Sequence, residues 1–133
     1  MPEPVPTRSK TVLIVEDQME LRAINAALLE HHGYRVLAVA DGEAGLRCAR
    51  EQHPDLILMD ISVPGIDGIR ATRQLKDDPR TGDIPVIIIT AHPYGSVGPR
   101  LRAAGCDGFI GKPCDPRRIL QEVRQRVGTP NAA

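Results

Sequence analysis

The stretch Leu56-Ile57-Leu58-Met59-Asp60 limits what this chain can fold into more than any other. Five residues without alternation of apolar and polar suit a strand buried on both faces, as in parallel sheets covered by helices. The run ends in a carboxylate, at the strand end where open α/β sheets place their ligands. Taken alone, such an aspartate is an ordinary turn former or helix cap. Its company says more. Val12-Leu13-Ile14-Val15 runs into Glu16-Asp17, Val86-Ile87-Ile88-Ile89 runs into Thr90, and the shorter Phe109-Ile110 leads to Gly111-Lys112-Pro113. If these are parallel strands, one rim carries three carboxylates, a hydroxyl and an ammonium.

The segments between the runs carry helix signals. Asp17 and Gln18 open a helix with Leu21, Ile24 and Leu28 at helical spacing, and Gly33 stops it. Tyr34 to Ala40 is a less apolar strand that suits a sheet edge. Asp41 caps a helix that turns Leu46 and Ala49 inward. Gly45 inside it costs about 1 kcal/mol relative to alanine, which makes this the softest of the early helices. Asp67 to Lys76 is helical on a thin stripe of Ile69 and Leu75. Asp115-Pro116 is an N-cap followed by proline in the first helical position, and Ile119, Val123 and Val127 then repeat every four residues before Gly128. His92 to Pro99 holds two prolines and two glycines, and interior proline and glycine cost about 3 and about 1 kcal/mol each. An irregular loop through Gly98 is therefore expected, with Pro99 as the first residue of a truncated helix ending near Ala104. Five strands alternating with five helices make an α/β domain, a doubly wound five-stranded parallel sheet.

At 133 residues the chain fits one domain. Residues 10–128 are expected to form it, with 1–9 a flexible leader and 129–133 a flexible tail. Seventeen basic and seventeen acidic residues cancel, so no global charge pulls the chain onto nucleic acid or membrane. The balance is local: residues 1–67 carry six Lys/Arg against eleven Asp/Glu, and residues 95–133 carry seven against three. An acidic front half suggests a metal-binding pocket. Cys48, Cys106 and Cys114 form no CxxC pair and leave one over, against both a zinc site and a disulfide framework. No run approaches the roughly 18 apolar residues of a membrane span, and the first ten residues lack a signal-peptide core. A soluble cytoplasmic protein is expected.

Glu16-Asp17, Asp60 followed by Pro64-Gly65, Thr90-Ala91 and Lys112-Pro113, in this order and at this spacing, resemble the receiver domain of bacterial two-component response regulators, over about Thr11 to Val127. The resemblance implies a strand order of 2-1-3-4-5. It also implies that Asp60 accepts a phosphoryl group from the phosphohistidine of a histidine kinase or histidine phosphotransfer protein. By the same resemblance, Asp17, Asp60 and the backbone carbonyl of Ser62 would ligate Mg²⁺ (or Mn²⁺), while Glu16 would hold metal-bound waters. Lys112 would pair with one phosphoryl oxygen, the Thr90 hydroxyl with another, and the Ala91 amide would add a donor. Phe109 matches the family's aromatic switch position. Ser62 and His92 stand two residues beyond Asp60 and Thr90, where receivers tune the access of attacking water. The residue types suit the chemistry, because phosphoryl transfer needs charge neutralisation and in-line positioning more than proton transfer, and a hard divalent ion prefers oxygen. Val63 departs from the family, which often carries methionine there.

The implied function is a stand-alone receiver that signals by phosphorylation-dependent docking to a downstream protein of unknown identity, and is not otherwise an enzyme. Two alternatives stay open. A metal-dependent phosphatase of the haloacid dehalogenase type also forms an aspartyl phosphate, but needs a second carboxylate where this chain has Ser62. A degenerate receiver would dock without phosphorylation, yet no member of the pocket is missing. A flavodoxin-like flavin site fits poorly, since Glu16-Asp17-Gln18-Met19-Glu20 would repel a phosphate.

Overall fold

The computed structural model describes residues 10–61, 68–91 and 94–129. Along the chain, strands and helices alternate: β1 (Thr11–Val15), α1 (Met19–His31), β2 (Arg35–Val39), α2 (Gly42–Gln52), β3 (Leu56–Asp60), α3 (Gly68–Asp77), β4 (Val86–Thr90), α4 (Tyr94–Ala104), β5 (Gly108–Gly111) and α5 (Pro116–Val127). The leader 1–9 and residues 130–133 of the tail lie outside the described residues, as do Ser62, Val63, Pro64, Gly65, Asp67 and His92.

The strands pair in parallel in the order β2-β1-β3-β4-β5, as the resemblance implied. β1, β3 and β4 are buried at every residue, which is why their sequences lack alternation. β2, at the edge, mixes exposed and half-buried positions. Successive side chains on the central strands feed two separate cores. Leu13, Val15, Ile57, Met59, Val86 and Ile88 pack with α2, α3 and α4 through Leu46, Ala49, Ala71, Leu75 and Leu101. Val12, Ile14, Leu56, Leu58, Ile87 and Ile89 pack with α1 and α5 through Leu29, Ile119, Leu120 and Val123. A sequence with one phenylalanine builds both layers almost wholly from branched aliphatics.

Two strand entries are tied by carboxylates. The Asp55 side chain accepts from the Thr11 amide at 2.8 Å, and the Asp107 side chain accepts from the Val86 amide at 2.8 Å. These bonds satisfy the first donors of β1 and β4, which have no strand partner of their own. Asp41 caps α2 by accepting from the Ala44 amide, and Asp115 caps α5 by accepting from Arg117.

Three expectations need correction. α1 starts at Met19, after a Gln18 that gives no side-chain cap, and its buried residues are Asn25 and Leu29. Ile24 is 51% exposed. The Leu21-Ile24-Leu28 stripe thus marks the margin of the helix, because the line facing the sheet contains a polar residue that hydropathy does not count. In α3 the buried set is Gly68, Ala71, Thr72 and Leu75, with Ile69 only half-buried. Small residues let this helix lie close to the sheet. Finally, Tyr94–Ala104 is one continuous helix with Pro99 inside it, so the irregular loop through Gly98 is overturned. Propensity costs act residue by residue, whereas helices in folded domains draw most of their stability from packing their inner face. Gly98 is buried, and Leu101 and Ala104 are 1% and 4% exposed. The helix ends at Ala104, as expected, and Gly105 follows at a φ of 88°.

Gly45 has a packing role beyond its helix cost. A Cβ there would lie 2.8 Å from Cγ2 of the buried Val15, so the missing side chain lets α2 approach β1. Gly45→Val should lower unfolding stability by about 1–3 kcal/mol through overpacking, although valine is the better helix former. Chemical denaturation checks this, and an unchanged midpoint would contradict it. Pro99, being exposed and lacking an amide to donate toward Gly95, should be the weak point of α4. Pro99→Ala is expected to raise stability by about 1–3 kcal/mol and to slow amide exchange across Gly98–Ala104.

Candidate functional site

The carboxyl ends of β1, β3, β4 and β5 meet on one rim, beside the point where the strand order reverses between β1 and β3. Register sets the level of each group: Val15 pairs with Met59, Asp60 with Ile89, and Thr90 with Gly111. Glu16 and Asp17 therefore follow β1 at the height where Asp60 ends β3, and Lys112 follows β5 next to Thr90.

Glu16 and Asp60 are both 4% exposed, while Asp17 is open to solvent. One oxygen from each of the three carboxylates lies within 4.8 Å of the others. Lys112 Nζ donates to Asp60 Oδ2 at 2.7 Å and to Glu16 Oε1 at 3.3 Å. Its own amide donates to the Thr90 carbonyl at 2.7 Å, so the loop after β5 is pinned to the end of β4. The Lys112–Pro113 peptide is cis. Thr90 is fully buried, Ala91 is exposed, and Phe109 is half-buried against the core on the α2-α3-α4 face. Ser62 and His92 lie outside the described residues.

Charge placement follows from burial. Loss of water pushes the Glu16 carboxyl above its usual range; the Gln18 amide pulls it partly back, and the nearby Asp60 charge pushes it up again. Burial alone would lower the Lys112 ammonium, but the hydrogen bond and charge of Asp60, followed by Glu16, outweigh it and hold the group above its ordinary value. One permanent cation is thus clamped between two buried anions, with a third carboxylate at the mouth.

Two contributors escaped the sequence reading. A Cβ at Gly68 would overlap the Ile61 Cα and the Asp60 carbonyl oxygen, so glycine is what lets the start of α3 sit against the backbone of Asp60. A glycine after a stretch that holds proline and glycine reads as a turn residue, and nothing in the sequence announces that close approach. Arg22 donates to the Glu16 carbonyl at 2.8 Å and so ties α1 back to the end of β1. A largely apolar cleft of about 520 Å³ opens beside Lys112, between α1 and the β5–α5 connection, with Leu21, Ile24, Asn25 and Ile119 in its walls.

A doubly wound sheet with three carboxylates and a lysine at its switch point defines a domain whose site favours a hard cation together with an anionic group. Comparison with known proteins gives the family. Residues 12–124 match the model of the response regulator receiver domain, and the chain belongs to that family. The polar-differentiation response regulators DivK of Brucella ovis and Brucella abortus are each 38% identical over 120 residues, spanning 90% of this chain and 98% of theirs. The receiver domain of a sensor histidine kinase from Pseudomonas aeruginosa PAO1 superposes with a TM-score of 0.83 at 31% identity, over 90% of this chain and 98% of that one. That structure has a magnesium ion coordinated in its active site cleft. The chemotaxis response regulator CheY4 of Vibrio cholerae shares the fold, with a TM-score of 0.84 at 24% identity over 90% and 99% of the two chains.

Removing the cation should expose the strain it relieves. Lys112→Met leaves Asp60 and Glu16 facing each other, and should cost about 1–3 kcal/mol at pH 7, less than a fully buried pair because Lys112 is partly solvated. The sign with pH is set by Glu16. Its folded pKa is raised, and more so without Lys112, so the penalty is absent below the unfolded glutamate value of about 4.3 and grows as pH rises toward the folded value. The stability gap between variant and parent should accordingly narrow from pH 7 to pH 5 in denaturant titrations.

Proposed function

We propose that this chain is a phosphorylation-controlled receiver in which Asp60 is the phosphoacceptor. The observation that carries the reading is the clamp of Lys112 Nζ on Asp60 Oδ2 at 2.7 Å and on Glu16 at 3.3 Å, with Asp17 completing the carboxylate cluster. A carboxylate oxygen of Asp60 attacks the phosphorus of a phosphohistidine. The P–N bond breaks, the imidazole nitrogen keeps its electron pair, and the product is an acyl phosphate on Asp60. Lys112, which holds Asp60 at 2.7 Å, would share its charge with the phosphoryl oxygens, and the Thr90 hydroxyl and Ala91 amide at the end of β4 would donate to them.

The donor set fits Mg²⁺ or Mn²⁺: three hard oxygen ligands converge from two strands, and one lysine leaves their charge only partly cancelled. The ion, when bound, neutralises charge built up on the transferring group. Asp17, Asp60 and the Ser62 carbonyl would hold it directly and Glu16 through water. Phe109, next to Thr90's neighbour strand position, would answer movement of Thr90 by rotating its ring, and Ser62 and His92 would govern how readily water reaches the acyl phosphate. The kinase or phosphotransfer helix that carries the phosphohistidine has an apolar landing place in the cleft beside Lys112, flanked by Ile24 at 51% exposure. Among the described residues no helix is long and apolar enough to cross a membrane. Cytoplasmic location fits an acceptor of this kind.

Asp60→Asn should take up no label from acetyl phosphate or a phosphorylated kinase, while the parent is labelled only when Mg²⁺ is present. Undiminished labelling of that variant would move the acceptor elsewhere. Mg²⁺ should also raise the melting temperature of the parent by mass action and have little effect on Asp17→Asn.

A further inference from the structure

We propose that the groove between α3 and α4 is a recognition site for acidic side chains of a partner protein, separate from the carboxylate rim. The groove has a volume of about 220 Å³ and is lined by Ile69, Arg70, Arg73, Arg100, Ala103 and Ala104. Arg70 and Arg73 stand three residues apart on α3 and share a face, and Arg100 comes from α4 opposite them. The two helices together carry five basic residues, Arg70, Arg73, Lys76, Arg100 and Arg102, against the single acidic residue Asp77.

The charge of two of the groove's arginines, Arg73 and Arg100, is not cancelled by an ion pair among the described residues. Lys76 is neutralised by Asp107 at 2.7 Å. Arg117 is held by Asp115 at 2.7 Å and Arg118 by Glu122 at 3.0 Å, while Arg50 and Arg80 share Asp78 at 3.3 and 2.8 Å. Arg73 and Arg100 are exposed, and neither makes a hydrogen bond or ion pair among the described residues. Two guanidinium groups without partners among the described residues therefore flank one groove, in a chain whose overall formal charge is zero.

The shape of the site selects the ligand. Planar guanidinium forks match the geometry of carboxylates and phosphates, and they bind most strongly beside an apolar wall such as Ile69, Ala103 and Ala104 provide. The groove is below the roughly 300 Å³ at which pockets for whole small molecules begin. It has room for a carboxylate and its stem. A nucleic acid backbone would need a basic stripe several phosphates long, and of the α5 arginines Arg117 and Arg118 are already paired with carboxylates. Packed helices lie about 8–10 Å apart, a span that an acidic protein segment covers with carboxylates a helical turn or two apart.

The test uses the full, unphosphorylated chain, so it stands or falls independently of Asp60 as the acceptor. Titration with a hexaglutamate peptide is followed by ¹H–¹⁵N NMR, including the arginine Nε–H signals. Saturable shifts are expected at Arg73, Arg100 and the amides of α3 and α4, weakening as salt rises. The double variant Arg73→Gln/Arg100→Gln should bind about tenfold more weakly or worse, with an unaltered circular dichroism spectrum. Absence of saturable shifts at the groove, or equal affinity in the double variant, would overturn the proposal. So would tighter binding of an oligothymidylate, which would assign the groove to nucleic acid, or full displacement by inorganic phosphate at the peptide's own concentration, which would mark a site for small anions.

Discussion

A parallel sheet covered by helices on both faces leaves its central strands no polar surface except their ends. In this protein β1, β3 and β4 are buried throughout, so any charge carried by those segments has to appear at the carboxyl rim. Glu16 and Asp60 are the result: two carboxylates at 4% exposure, close enough to repel, held in place by a lysine arriving from the far side of β4. Neither the strands nor the loops that follow them could take this arrangement separately. Pairing of β4 with β5 brings Lys112 within reach, and its amide bond to Thr90 keeps it there.

Close approach of helix backbone to the sheet supports the rim from below. At Gly45 and Gly68 a side chain would meet Val15 in one case and the backbone of Asp60 and Ile61 in the other. The two glycines therefore serve different ends. One seats a helix on the sheet, and the other seats the start of α3 against the end of β3. On the opposite layer, α1 turns Asn25 and Leu29 inward and leaves Ile24 on the margin, so the wall of the cleft beside Lys112 is apolar yet open.

The charge distribution separates the molecule into two chemistries. The rim concentrates anions around one cation, which suits a hard metal ion and a transferring phosphoryl group. The groove between α3 and α4 concentrates cations with few anions near them, which suits a partner of opposite charge. α4 belongs to both neighbourhoods, since it follows the β4 end by a short connection and contributes Arg100 to the groove.

Much of this was determined by the sequence alone. Unbroken apolar runs ending in Glu16-Asp17, Asp60 and Thr90 specify buried strands and, with the shorter Phe109-Ile110 before Lys112, the groups at the strand ends, because side-chain chemistry at a strand terminus is local. The caps at Asp41 and Asp115 were readable for the same reason. What only the tertiary structure decided were matters of distance between segments remote along the chain. The 2.7 Å contact of Lys112 with Asp60, the glycine-sized gap at Gly68, and the inward turn of Asn25 all depend on how helices settle on the sheet. α4 shows the limit most clearly. Its proline and two glycines argue against a helix one residue at a time, but burying Gly98, Leu101 and Ala104 is a collective gain that no residue-by-residue propensity contains.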